Sequence, residues 1–546
     1  MSSRTVAQYL LEQLDAWGAR TVYGVPGDAI LPFLDAISQY PRLNFISVKH
    51  EATAALMASA EAKLMDRLGV CIATSGPGAA NLINGLADAK SDRAPVLAIT
   101  GQVDSYNIGT DYKQYIDQSL LMAAVTGYSG LVPVPGSCND VVIKALRKAI
   151  GEGTVAHVAF TRDVWQLPTE EKVRTYEPYI KTVIQSAPEM VAEAARRLNE
   201  AERPAILAGR GIRNVGNQVV ELAAKWQAGI SLTMPAKGML PVYSLNMGGL
   251  GEGGSEASTA MLAGADLILI IGATWWPDKY VPRQTRIIQL DVFPENLGRQ
   301  MPVEYGVIGE LDILLPQIVE RIERREKPDW TGRLNLLLKQ WQDRLALEAE
   351  PDRDKISPGY LMKTLEETIA GDAIIALDVG DHTVWFNRIF QGTHQDILIS
   401  GSWRTMGFAL PAALSAKLAQ PKRQVIALTG DGGLAMNLAD FITAVRYRLP
   451  IVVVVVNNGY LAMEKGKMEI KNLDSEVTSI SNPDFAMFAQ SCGGTGYRVE
   501  RPGDLKAAIN QAIESQQPAI VDVLTTPVFF PGVEQKSQPT ENLALV

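Results

Sequence analysis

The chain has 546 residues, 47% of them apolar, and its 60 acidic against 51 basic residues give a formal net charge of −9. That length exceeds one ordinary core and implies about three domains. The acidic surplus, with no Lys/Arg block interleaved with aromatics, argues against an electrostatic nucleic-acid partner. Three widely spaced cysteines, Cys71, Cys138 and Cys492, form no CxxC pair; they argue against a disulfide framework or a zinc site and fit a reducing compartment. Residues 1–8 lack a charged-then-apolar leader pattern, and the longest aliphatic run, 451–456, is too short to span a bilayer. The expectation is a cytoplasmic protein without a membrane partner.

In chain order, short aliphatic runs closed by Gly or Ser are followed by segments of helical period, the pattern of repeated βα units. The fold class expected is therefore α/β, with three doubly wound parallel-sheet domains. A first set of strands includes 43–48, 70–73 and 96–100, and ends before a charged stretch, 169–181, read as a linker. A second includes 205–208, 230–233, 267–271 and 287–290, followed by a polar stretch at 324–358. A third includes 374–377, 425–428, 451–456 and 520–523. The domains implied are 1–175, 185–345 and 356–546.

The third set carries the clearest chemistry. A buried-type strand, 424–429, runs into Gly430-Asp431-Gly432-Gly433, after which Leu438, Phe441, Ile442 and Val445 recur at helical spacing. The next strand, 451–456, runs into Asn457-Asn458-Gly459. Adjacent parallel strands release Asp431 and Asn458 at one carboxyl edge, where open α/β sheets place ligands. A diphosphate needs close backbone N–H groups, which glycine permits, and a hard cation to neutralise it. Mg²⁺ takes oxygen ligands, and Asp431, the Asn458 amide oxygen and a loop carbonyl near Tyr460 offer three. Either motif alone is an ordinary turn. Their pairing, with 24 positions between them, carries the functional reading.

That pair and spacing resemble the thiamine diphosphate signature, and nearly the whole chain is similar to thiamine-diphosphate-dependent enzymes of the pyruvate oxidase and acetolactate synthase group. The resemblance implies a pyrimidine-binding domain first, a central domain second and a diphosphate-binding domain last. It also implies that Glu51, in His50-Glu51 after a short strand, hydrogen-bonds the aminopyrimidine ring and promotes deprotonation of the thiazolium carbon. Read by itself, Glu51 is a first-turn acid offsetting a helix dipole. Pro26, Gly27 and Asp28, with Ser75-Gly76-Pro77-Gly78, match loops lining the same cleft. Gly380, Asp381 and His382 match a segment beside the cofactor, as do Gly430, Gly432, Gly433, Tyr460 and Leu461 around the metal motif. Met406 matches the bulky apolar wedge between the two cofactor rings. In this group the active site lies between two subunits, so a homodimer is the minimum and a homotetramer is expected.

Within the group the central domain holds FAD in pyruvate oxidases and anabolic acetolactate synthases. Gly209-Arg210-Gly211, Leu250-Gly251, Gly272 to Pro277 and Asp291 to Pro294 resemble the flavin-contacting loops, so FAD is expected. Against the acetolactate synthases, this chain reads Gly272-Ala273-Thr274-Trp275-Trp276-Pro277-Asp278, without their acceptor-binding arginine, and has Lys467 where they select the acceptor with tryptophan. Lys113-Gln114-Tyr115 replaces the usual Phe-Gln-Glu, Glu464 lies six residues after Asn458, and Arg404 before Met406 is atypical. The catalytic set expected is Glu51, Gln114, Lys113 and Glu464.

The function expected is decarboxylation of a small 2-oxo acid, most simply pyruvate, followed by oxidation through FAD; an acetolactate-synthase-type carboligation is the alternative. A non-turnover regulator is disfavoured because Glu51, Met406, Asp431 and Asn458 are all present. A plain dinucleotide dehydrogenase is disfavoured because no GxGxxG is followed by an acid about 20 residues on. The polar stretch 531–546 offers no amphipathic helix for membrane recruitment.

Overall fold

The computed structural model describes residues 4–177 and 183–528, and the segment 531–546 lies outside them. Three six-stranded parallel sheets follow one another along the chain, each flanked by helices, as the α/β reading expects. The first contains β1 (Thr21–Gly24), β2 (Asn44–Ser47), β3 (Gly69–Ala73), β4 (Val96–Gln102), β5 (Tyr128–Val132) and β6 (Val155–Thr161), in the order β2-β1-β3-β4-β6-β5. The third contains β13 (Ile374–Leu377), β14 (Asp396–Ile399), β15 (Val425–Gly430), β16 (Val452–Asn457), β17 (Thr495–Val499) and β18 (Ala519–Leu524). Its order, β14-β13-β15-β16-β18-β17, repeats the winding of the first.

The middle sheet is wound differently. Its strands are β7 (Pro204–Ala208), β8 (Gly229–Leu232), β9 (Asn246–Gly249), β10 (Leu267–Ile271), β11 (Arg286–Asp291) and β12 (Tyr305–Ile308), ordered β12-β11-β10-β7-β8-β9. Read from the other edge this is 3-2-1-4-5-6, the order of dinucleotide-binding folds, with its crevice where β7 meets β10. In the outer sheets the order reverses between β1 and β3 and between β13 and β15. Ligand crevices open at such switch points, so the topology sets out three places to look.

The outer domains share one hydrophobic core. The helix Glu51–Met65 is buried almost all round and packs on the helix Ala409–Ala419. Alanines on both let the backbones approach, because a helix buried on every side has no room for large residues. Gly69 shows how tight the fit is: a Cβ there would stand 2.1 Å from the Ala58 carbonyl oxygen.

The polar stretch at 324–358 is not a plain connector. It contains the 21-residue helix Pro328–Glu348, which buries Trp330, Leu334 and Trp341 against the helix Glu256–Gly264 of the middle domain. Likewise, the described part of 169–181 is tied back to the first domain, with Gln13 and Trp17 donating to the Arg174 carbonyl at 2.6 and 2.7 Å. Its last four residues, 178–181, lie outside the described residues.

Candidate active site

In the third sheet β15 and β16 lie side by side in parallel, with Gly430 opposite Val456, so Asp431 and Asn458 leave the same edge. A helix, Asp431–Asn437, starts at the aspartate itself. Asp431 is buried; its Oδ1 accepts from Gly432 N at 2.9 Å, and its Oδ2 accepts from Gly459 N and Asn482 Nδ2, both at 2.8 Å. Burial raises this carboxyl above the usual range, opposed by those hydrogen bonds. Asn458 Oδ1 accepts from Tyr460 N at 3.1 Å, an Asx turn that curls the loop toward Asp431. Leu461 N donates to Thr478 O at 2.8 Å and Ile480 N to Gly459 O at 2.9 Å, anchoring the loop from outside. Among the described residues no group of three or more His, Cys, Asp or Glu is placed to hold a metal ion. A cation here would rest on one carboxylate, one amide, a loop carbonyl and its own ligand's oxygens.

Across the switch point stand Gly380, Asp381 and His382, opening the helix Asp381–Ile389. The His382 ring lies against Gly430, its Nδ1 3.2 Å from where a Cβ would stand. Two buried atoms here, Asp381 Oδ1 and His382 Nε2, have no hydrogen-bond partner. Burial pushes the Asp381 carboxyl up to about 7 and holds the His382 ring down to about 4, so the ring is neutral at pH 7. Buried polar groups left without partners are costly, and a polar ligand would satisfy them.

Met406 reaches this place on a loop held at both ends. At one end Asp92, from the first domain, accepts from Gly401 N and Ser402 N, both at 2.8 Å. At the other, Asp378 accepts from Gly407 N at 2.9 Å, Ala409 N at 3.2 Å and Thr429 Oγ1 at 3.1 Å. Between them Asn84 bonds both the Trp403 indole and the Thr405 hydroxyl. The Met406 methyl thus stands 3.5 Å from the Cβ position of Gly432, where Leu461 also converges. Asp92, Asp378, Asn84 and Asn482 were not singled out from the sequence; each acts on residues far away in the chain.

The first sheet builds a second half-site. Glu51 begins the helix Glu51–Met65, capped by His50 Nδ1, which accepts from Ala52 N. The carboxylate is buried beside Gly78 and accepts from Asn81 Nδ2 at 2.9 Å. Gly27 sits against Thr74 so closely that a Cβ would meet it at 2.5 Å. Pro26 is exposed, and the exposed Asp28 pairs with Arg162 at 2.7 Å. Gln114 holds a left-handed backbone, φ +63, with its carbonyl 2.8 Å from the Cβ position of Gly76. Its amide oxygen accepts from Ser75 Oγ at 3.4 Å. Lys113 is exposed. Glu464 is exposed too and pairs with Lys467 at 2.8 Å on the helix Ala462–Ile470.

Within one chain, the first and third domains meet through Ser47 with Tyr447, Lys49 with Asp440 and Thr53 with Asn437. Among the described residues no recorded hydrogen bond joins Glu51 to the Asp431 motif.

The middle sheet's switch point opens a cavity of about 1350 Å³ that reaches the other two domains. Gly209, Arg210, Gly211, Gly272 and Asp291 all belong to its walls or to the turns that form them. Gly211 and Gly272 touch backbone to backbone: Gly211 N donates to Gly272 O at 2.9 Å, and Gly272 has φ +57. Arg210 and Arg213 donate to the Lys63 carbonyl, so Arg210 ties domains together. Asp291 is buried; its Oδ1 accepts from Phe293 N and Asn296 Nδ2, both at 2.9 Å, and its Oδ2 has no partner.

Comparison with known proteins identifies all three domains. The descriptions thiamine pyrophosphate enzyme, N-terminal TPP binding domain, central domain, and C-terminal TPP binding domain match residues 4–121, 191–318 and 378–523. A thiamine pyrophosphate-containing protein of Bacillus subtilis is 36% identical over 96% of this chain and 92% of its own. The pyruvate oxidase of Lactiplantibacillus plantarum is 30% identical over 95% of this chain and 88% of its own, and the acetolactate synthase of Mycobacterium bovis 31% over the same shares. The half-sites described above lie in the first and last of the matched segments. The chain therefore belongs to the thiamine-pyrophosphate-dependent enzymes, in the family that includes pyruvate oxidases and acetolactate synthases.

Proposed function

We propose that the protein decarboxylates a small 2-oxo acid, most simply pyruvate, using thiamine diphosphate held by Mg²⁺, and passes the electrons to FAD. The observation that carries this is the meeting of Asp431 and the Asn458 loop at a sheet switch point, opposite the unpartnered Asp381 Oδ1 and His382 Nε2. Asp431, the Asn458 amide and a carbonyl near Tyr460 hold the cation, and the turn 430–433 lets backbone approach the diphosphate. Thiamine diphosphate, when bound, supplies the carbon nucleophile and electron sink that 2-oxo acid decarboxylation requires. Met406 and Leu461 shape the space over Gly432, and Glu51 provides the buried carboxylate that holds a proton on the pyrimidine. The shortage of direct contacts between Glu51 and the metal motif favours a site completed by a second copy, hence a homodimer at minimum and a homotetramer by family likeness. Exposed apolar side chains on both halves, Leu31, Tyr106 and Leu120 on one and Met436 on the other, favour the same reading.

FAD fits the central domain on three counts: the dinucleotide-type strand order, a cavity large enough for it, and the free Asp291 Oδ2 at the end of β11, placed to accept from a ribose-type hydroxyl. Purified protein is expected to be yellow and to release flavin on denaturation. Colourless protein that makes acetolactate would instead mark a flavin-free carboligase.

Oxidation is favoured over carboligation because residues 274–278 include no arginine of their own for a second 2-oxo acid. Lys279, which lines the same cavity, is engaged with Glu252 at 3.3 Å. A charged hydrogen bond is worth about 1.5 to 3 kcal/mol, so its loss disfavours the acceptor roughly 10- to 150-fold. With pyruvate and an artificial electron acceptor, acetate or acetyl phosphate should exceed acetolactate; dominant acetolactate would reverse the choice.

A further inference from the structure

We propose that Arg404 is the specificity-determining cation that binds the carboxylate of the incoming 2-oxo acid, an assignment that rests on the decarboxylation reading above. Arg404 and Trp275 both line the large cavity, together with Val379 and Thr383, which flank Gly380 to His382. The guanidinium lies over the Trp275 ring, 5.2 Å from its centroid, and among the described residues no ion pair to a carboxylate is found for it. Of the other cations lining the cavity, Lys279 and Arg93 have acidic partners, and Arg210 and Arg213 donate to the backbone carbonyl of Lys63.

Stacking on an aromatic face leaves the edge of a guanidinium free, and that edge matches a carboxylate with two parallel hydrogen bonds. The group is also well positioned. Arg404 stands two residues before Met406, on the loop that Asp92 and Asp378 hold at its ends.

The backbone makes the same point. Arg404 has φ +56, in the left-handed region that glycine occupies freely and a long side chain occupies at a cost. An arginine at such a position, exposed and without an ion-pair partner, carries a backbone cost that glycine would relieve, with only its stacking on Trp275 to offset it locally. Its side chain is what the site uses.

The test follows from that geometry. Arg404→Gly suits the left-handed backbone, so the variant keeps its fold and its thiamine diphosphate. In holoenzyme with Mg²⁺, Arg404→Gly should raise KM for pyruvate about tenfold or more while kcat changes less, because the lost contact is made in the ground state too. Calorimetric titration with oxamate, an unreactive carboxylate of the same shape, should show its Kd rising in parallel. Arg404→Lys, which keeps charge without the two-pronged edge, should fall between. Unchanged KM and unchanged oxamate Kd in Arg404→Gly, or no oxamate binding by the wild type, overturns the assignment. Should the wild type bind oxamate and yet consume no pyruvate, the decarboxylation reading is what fails, and the oxamate comparison still decides on Arg404.

Discussion

Glu51→Gln is expected to leave thiamine diphosphate bound and to slow exchange of the thiazolium C2 proton by about two to four orders of magnitude, the usual worth of a positioned acid or base. The amide is nearly isosteric and keeps an oxygen to accept from Asn81 Nδ2, so the fold at the start of the helix Glu51–Met65 is preserved. What it loses is the negative charge that favours a protonated ring nitrogen opposite it. Proton exchange in deuterated water reads this step without depending on which 2-oxo acid is the substrate. An unchanged rate would leave Glu51 as the first-turn acid of a helix and nothing more.

The second large effect is expected at the metal motif. Asn458→Ala should weaken Mg²⁺-dependent cofactor binding about 100-fold or more, since even a residue that only orients a metal ligand is worth about 10- to 100-fold. Asp431→Ala should do at least as much. That change also removes the acceptor of Gly459 N, a part-buried donor, and one of the two acceptors of Asn482 Nδ2, so it also disturbs the loop that carries Asn458. The Asn458 side chain accepts from Tyr460 N two residues on, a local bond, so Asn458→Ala is the cleaner variant. Wild-type affinity in Asn458→Ala would remove the amide from the ligand set.

The Asp431 and Asn458 pair was readable because aliphatic strands fix where the chain must turn. β15 and β16 open on apolar runs, Val425 to Leu428 and Val452 to Val456, and end in glycine and asparagine respectively, and parallel neighbours deliver those ends to one edge. Glu51 stood out only through the family resemblance, since by itself it reads as the first-turn acid of the helix Glu51–Met65. The rest depends on contacts that leave no local trace. Asp378 looks like any acid at a strand end, yet it holds the loop behind Met406; Asp92 does the same from another domain. The missed strands are short or broken by polar residues and glycine, such as Asn246–Gly249 with the sequence NMGG and Thr495–Val499 with TGYRV. The helix Pro328–Glu348 was read as polar chain because three widely spaced residues, Trp330, Leu334 and Trp341, supply its buried face. No helix among the described residues is long and apolar enough to cross a membrane.

The central claim is that this chain decarboxylates a 2-oxo acid with the cofactor held at Asp431 and Asn458. The most direct measurement is release of labelled CO₂ from pyruvate carrying the label in its carboxylate, by purified protein supplied with thiamine diphosphate and Mg²⁺. The account predicts release that requires both additions and is lost in Asn458→Ala. Tight binding of thiamine diphosphate and Mg²⁺ with no CO₂ from pyruvate or any other small 2-oxo acid would contradict it.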